Sequence, residues 1–230
     1  VKDWKSMKSV ICTELGNPEL LQIKDTEKPT PLKDEVLVKV EAAGVNYPDA
    51  LLVQGKYQVV VNPPFTPGNE ICGYIEEVGS NVDFKKGMKV IGLPEIGGFS
   101  EYVCLNKNLV IPISDNISSI AGASLPINYG TTYYALKRRA NASRGESLLV
   151  LGASGGVGTA SIQLGKILGL NIIAAVGSDE KEEYVKNLGA DHVIRYDQEN
   201  LKESTKNLTG GNGVDIVIDP VGGDITCLLY

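Results

Sequence analysis

The chain has 230 residues, 43% of them hydrophobic, enough for two modest domains with real cores. Its formal net charge of −6 offers no bulk field to gather nucleic acid or an anionic membrane. Four scattered cysteines without a CxxC pair, and a single histidine, His192, argue against a disulfide framework or a structural zinc lobe, and no apolar run is long enough to cross a bilayer.

The opening Val1-Lys2-Asp3-Trp4-Lys5 has neither the n-region nor the h-region of a secretory leader, and no initiator Met. A cytoplasmic location is expected, with a mitochondrial one left open. Short strands are then expected over 9–13, 35–43, 71–78, 89–91 and 99–105. In the second of these Val36, Val38, Val40 and Ala42 share one face. Between the strands sit turn clusters such as Asn62-Pro63-Pro64 and Thr66-Pro67-Gly68-Asn69. Many short strands separated by Gly/Pro turns predict a compact β barrel or sandwich.

The pattern changes near Ser114. Ser118 reads as an N-cap, with helical stretches over 121–125 and 131–139, the second ending in the cationic turn Lys137-Arg138-Arg139. Regular alternation follows: strand 147–151, helix 157–169, strand 171–176, helix 180–188, strand 192–194, helix 199–208 and strand 214–218. Strands alternating with helices of this length predict βαβ units on a parallel sheet. Four such strands are present where a complete dinucleotide fold has six. The sequence ends at Cys227-Leu228-Leu229-Tyr230, where the next crossover helix is expected to begin, so the polypeptide reads as cut within a domain.

The most informative segment runs Leu151-Gly152-Ala153-Ser154-Gly155-Gly156-Val157-Gly158. An apolar strand feeds a glycine turn that opens a helix, with Gly152, Gly155 and Gly158 in G-x-x-G-x-x-G spacing. Bare backbone N–H groups and the positive end of a helix dipole then meet at one point, which suits a pyrophosphate. The alternative is a glycine-rich turn of some other α/β protein.

Cofactor choice is read at the end of the next strand. A site for NAD usually places an acid there to bond both ribose hydroxyls. Here the strand ends in Gly177-Ser178. A small hydroxyl residue leaves room for a 2′-phosphate, and Lys181 supplies a cation, so NADPH is favoured over NADH. Asp179 and Glu180 run against this, although acids at a helix start also serve as caps. Tyr196, read alone, is an exposed turn tyrosine.

Several segments resemble the medium-chain dehydrogenase/reductase superfamily. They are Glu41-Ala42-Ala43-Gly44-Val45-Asn46-Tyr47-Pro48-Asp49, Pro67-Gly68-Asn69-Glu70, Gly98-Phe99-Ser100-Glu101-Tyr102, Gly130-Thr131-Thr132-Tyr133, the glycine turn and Leu188-Gly189-Ala190-Asp191. The most similar branch is the zinc-free, zeta-crystallin-like NADPH:quinone oxidoreductases. The resemblance implies an α/β protein with a GroES-like β domain over 1–124. A Rossmann NADPH-binding domain would follow over 125–230, truncated after its fourth strand. It also implies a homodimeric parent enzyme.

Zinc members of the superfamily carry Cys where this chain has Asn46 and His where it has Asn69, so no metal is expected. By the resemblance Asn46 is an active-site amide near the nicotinamide, able to hydrogen-bond an acceptor carbonyl, and Tyr57 is a cleft tyrosine. Thr132 lies near the nicotinamide. Gly152, Ala153, Ser154, Gly155, Gly156, Val157 and Gly158 hold the pyrophosphate, and Gly177, Ser178, Lys181 and Tyr196 hold the 2′-phosphate and adenosine. Without the family, Asn46 is a strand-end turn residue, Tyr57 a loop aromatic and Thr132 a helix hydroxyl. Leu51 departs from bacterial members, which carry a second cleft tyrosine there. The expected function is hydride transfer from NADPH to a quinone. Reduction of an enone or enoyl thioester is the alternative within the fold, and a non-catalytic, crystallin-like or inactive truncated nucleotide binder is the alternative outside it.

Overall fold

The computed structural model describes residues 6–227. The opening pentapeptide and Leu228, Leu229 and Tyr230, on which the expectations about a leader and part of the next crossover helix fall, lie outside the described residues. The chain divides into two compact units, Val1–Pro126 and Ile127–Tyr230.

In the first unit β1 (Ser6–Ile11) and β2 (Gln22–Glu27) form an antiparallel ribbon. The main sheet joins β3 (Glu35–Ala43), β4 (Ile71–Val78), β5 (Lys89–Gly92), β6 (Tyr102–Asn106) and β7 (Val110–Pro112) in the order β6-β3-β4-β5-β7, all antiparallel. Val36 and Val38 of β3 pack with Ile71, Ile75, Val90 and Leu105 in one buried cluster. β2 has no counterpart among the expected strands because Ile23 is 75% exposed, so no apolar alternation marks it. β7 escapes notice because it is three residues long and contains Pro112, a residue a sheet accepts at its edge. β6 is shorter than the expected strand, starting at Tyr102 rather than residue 99.

A helix was not expected after β3, yet α1 spans Tyr47–Val53. Pro48, which reads as a turn signal, sits in its first turn, where a missing N–H costs nothing. Helix α2 (Ser119–Ala123) is capped by Ser118, whose hydroxyl accepts from the Ala121 N–H. The expected helix over 131–139 is in fact two elements. Helix α3 (Pro126–Tyr133) runs into a π-helical turn, Tyr134–Arg139, closed by the Ala140 N–H on the Ala135 carbonyl. Thr132 and Leu136, four residues apart, are both fully buried; a 3.6-residue periodicity does not register a π insertion.

The second unit holds β8 (Ser147–Val150), β9 (Asn171–Val176), β10 (His192–Arg195) and β11 (Ile216–Ile218), all parallel, in the order β10-β9-β8-β11. This is the 3-2-1-4 half of a Rossmann sheet. Alternate residues face opposite layers. Leu148, Val150, Ile172 and Ala174 pack with Ile162 of α4 (Gly156–Leu168) and Val185 of α5 (Asp179–Asn187). Leu149, Leu151, Ile173 and Ala175 pack with Leu201 of α6 (Leu201–Leu208). With both faces covered, the strands read as continuous apolar runs. Each buried Leu or Ile adds about 1.5–3 kcal/mol of transfer free energy. A short helix, α7 (Asp224–Cys227), follows β11.

Candidate functional site

The carboxyl end of β8 turns sharply into α4. Gly152 takes φ +56°, a conformation that costs glycine least. The Ala153 N–H ties the turn to the Ala175 carbonyl of β9, and the Gly155 N–H folds back onto the Gly152 carbonyl at 2.9 Å. A Cβ on Gly158 would sit 2.5 Å from the Gly152 oxygen and 2.6 Å from the Ala153 backbone, so strand and helix approach as closely as backbone allows. Gly155 is the N-cap of α4 and supplies no capping side chain. The leading N–H groups of the helix are therefore left for an anion. Gly155 and Gly156 are exposed at the tip, whereas Gly158 is buried. Thr132 stands behind the turn: it is fully buried, and its hydroxyl donates to the Val157 carbonyl at 3.4 Å.

Next along the sheet, Ser178 caps α5 and its hydroxyl accepts from the Lys181 N–H at 3.4 Å. A Cβ on Gly177 would fall 2.9 Å from the Tyr196 hydroxyl oxygen, so the bare glycine makes room for that ring. Among the described residues no ion pair engages Lys181. An uncapped helix start and a close glycine cradle are together what the pyrophosphate of a nicotinamide dinucleotide needs, and the residues present fit it.

The first unit contributes a separate cluster. Asn46 is the N-cap of α1, and its backbone N–H donates to Asp49 Oδ2 at 2.8 Å. Asp49 Oδ1 accepts from the Gly68 N–H at 3.2 Å, joining the helix to the Pro67-Gly68-Asn69 loop. Burial pushes the Asp49 carboxyl above its ordinary range, against the pull of those two N–H groups. The Asn46 side chain donates from Nδ2 to Glu70 Oε1 at 2.8 Å and to Asn69 Oδ1 at 3.2 Å. Glu70 is 1% exposed. It fits because Gly44 is bare: a Cβ there would lie 2.0 Å from Glu70 Oε1.

This ladder has a direction. A carboxylate only accepts, so Asn46 must turn its N–H groups toward Glu70. Both N–H bonds of Asn46 are thereby engaged, and the expectation that Asn46 donates to an acceptor carbonyl does not match this arrangement. The polarity passes on instead. Asn69 offers its oxygen to Asn46, which leaves its own Nδ2 without a partner among the described residues. Asn69 and Tyr57 line one cavity of about 390 Å³ with Leu52, Val59 and Ile96. Asn46 is not in that wall. Sequence reasoning noted Asn69 only as the place of a missing metal ligand. Its spacing to Asn46, 23 residues, falls into no local motif. Among the described residues, no three His, Cys, Asp or Glu side chains come together as a metal site would require.

The alcohol dehydrogenase GroES-like domain model matches residues 32–115, and the zinc-binding dehydrogenase model matches 156–227. Quinone oxidoreductase-like protein 2 of Bos taurus is 38% identical over 224 residues, covering 96% of this chain and 63% of that protein. A quinone oxidoreductase from Pseudomonas syringae pv. Tomato DC3000 superposes with a TM-score of 0.91 at 31% identity, covering 96% of this chain and 69% of that one. The chain belongs to the medium-chain dehydrogenase/reductase family. A mycobacterial relative solved in complex with NADPH has a TM-score of 0.87 at 32% identity, covering 95% of this chain and 68% of that one. In the frame of this family, the GroES-like match carries Asn46, Tyr57 and Asn69, and the second match carries Ser178, Lys181 and Tyr196. The chain spans just under two thirds of the bovine relative.

Proposed function

We propose that this chain is part of a zinc-independent reductase that passes hydride from NADPH to a quinone. The observation that carries this reading is the Glu70–Asn46–Asn69 ladder, which ends at Asn69 on the wall of a cavity lined by Leu52, Val59, Val61 and Ile96 and by the acids Asp49 and Glu95. Zinc takes thiolate, imidazole or carboxylate ligands. A pair of neutral amides fixed on a buried acid supplies a hydrogen-bond donor instead.

When bound, NADPH supplies the hydride. A quinone carbonyl is already electrophilic, so the protein needs to orient it and stabilise the charge arriving on its oxygen. Asn69 Nδ2 donates to that oxygen. Leu52, Val59 and Ile96 hold the ring, and the Tyr57 hydroxyl is a second polar contact on the same wall. Asn46 acts through Asn69 by fixing which way its amide faces. Ser178 and Lys181 favour the phosphorylated cofactor.

The test combines nucleotide titration with turnover. NADPH should bind, and its oxidation should require a quinone such as 1,2-naphthoquinone. Asn69→Ala should lower kcat/KM for the quinone by about tenfold or more while the NADPH Kd stays unchanged. Turnover with an enone and none with a quinone would move the assignment to C=C reduction. Tight NADPH binding without turnover of either acceptor would favour a non-catalytic nucleotide binder.

A further inference from the structure

The acids at the head of α5 remain unexplained by this reading. Asp179 follows Ser178 directly, and a carboxylate after the second Rossmann strand ordinarily grips the ribose hydroxyls of NAD and repels a 2′-phosphate. In this structure Asp179 is bound by Arg195 Nη1. Arg195 closes β10, and β9 lies between β10 and β8. The guanidinium therefore holds Asp179 from the side of β9 opposite the glycine turn.

Arg195 is itself firmly fixed. Nε and Nη2 donate to the two oxygens of Asp197 at 2.9 and 2.8 Å, and Nη1 reaches Glu182 at 3.3 Å. Its backbone N–H donates to Glu199. The side chain is 9% exposed, whereas that of Asp179 is 92% exposed, so the aspartate is otherwise open to solvent. One guanidinium thus gathers three carboxylates, while Lys181 stays unpaired among the described residues.

We propose that Arg195 is a cofactor-specificity residue that favours NADPH over NADH by holding Asp179 away from the 2′-phosphate. This rests on the dinucleotide reading above. Loss of Arg195 frees Asp179 to turn toward the ribose and leaves Asp179 and Asp197 without their cation near the start of α5, while Glu182 keeps its pairing with Lys186. Both effects penalise a 2′-phosphate far more than a 2′-hydroxyl.

The experiment measures Kd for NADPH and for NADH by calorimetric titration, independently of any acceptor. Arg195→Gln should lower the NADPH:NADH affinity ratio by about tenfold or more, and adding Asp179→Asn should restore most of it. Asp179→Asn alone should change the ratio less than about twofold, because the clamp already offsets that charge. A ratio unmoved in Arg195→Gln, equal loss of both nucleotides, or no recovery in the double variant would overturn the proposal. If circular dichroism shows Arg195→Gln unfolded, Arg195→Lys decides. It keeps the charge without the planar fork and should lower the ratio by an intermediate amount; an unchanged ratio overturns the clamp. A wild-type chain that binds neither nucleotide refutes the dinucleotide reading and the clamp with it. Binding of NADPH with an unmoved ratio refutes the clamp alone.

Discussion

At residue scale, single backbone contacts set the geometry of the glycine turn between β8 and α4. A methyl on residue 158 would meet the Gly152 oxygen and the Ala153 backbone, neither of which is a flexible side-chain end. Gly158→Ala should cost about 1–3 kcal/mol of stability and weaken NADPH binding on the order of tenfold, because the strand-to-helix approach must widen. Urea melts and nucleotide titration check this; unaltered NADPH affinity would show that the turn tolerates widening. This turn is legible in the sequence because its requirements are local: a strand, three spaced glycines and a helix within a few residues. The proposed donor role of Asn69 is not legible, because it depends on Asn46 meeting Asn69 and Glu70 across more than 20 residues of chain. Arg195 is hidden for the same reason, its partner Asp179 lying 16 residues earlier.

At the scale of elements, β8 and β11 are fastened at their starts by a pair of short side chains. The Ser147 N–H and hydroxyl donate to Asp215 Oδ2 at 2.8 and 2.7 Å, and the Asp215 N–H donates to the serine oxygen at 3.0 Å. The Ser147 backbone N–H, and then its hydroxyl, hold the Asp215 carboxyl below its ordinary range. A carboxyl lowered in the folded state stabilises the fold above its ordinary pKa, and that contribution is lost as the pH falls through the lowered value. The Tm difference between wild type and Asp215→Asn should therefore be widest near neutrality and close below about pH 4. Melting curves from neutral to acidic pH test this, and a gap constant with pH would refute it. The helices and strands of the second unit are legible because apolar runs and caps alternate strongly there. The ribbon strand β2 carries no apolar face, helix α1 begins on a proline, and the π turn adds a residue without changing composition, so each eludes a periodicity argument.

At the scale of the whole molecule, the two units have separate buried clusters: two on the antiparallel sheet and one beside α1 in the first unit, and two on the faces of the parallel sheet in the second. A ligand that binds the folded second unit stabilises it by mass action, by about 2.7 kcal/mol at a hundred times its Kd. With NADPH, amide exchange should slow over residues 152–158 and 177–181 and across β8 and β9, with little change in the β3–β4 pair. Mass spectrometry of exchanged peptides checks this; protection confined to the first unit would contradict the dinucleotide site. The broad plan was readable in advance because two kinds of periodicity follow one another along the chain. The division at Pro126/Ile127 also bears on inheritance. The groups that would choose the acceptor (Tyr57, Asn69 and the acid behind them) are encoded wholly before the junction. Those that would choose the nucleotide (Ser178, Lys181 and Arg195) are encoded wholly after it. A crossover at the codons for Pro126 and Ile127 between two related genes would exchange the first set of groups and leave the second as it was.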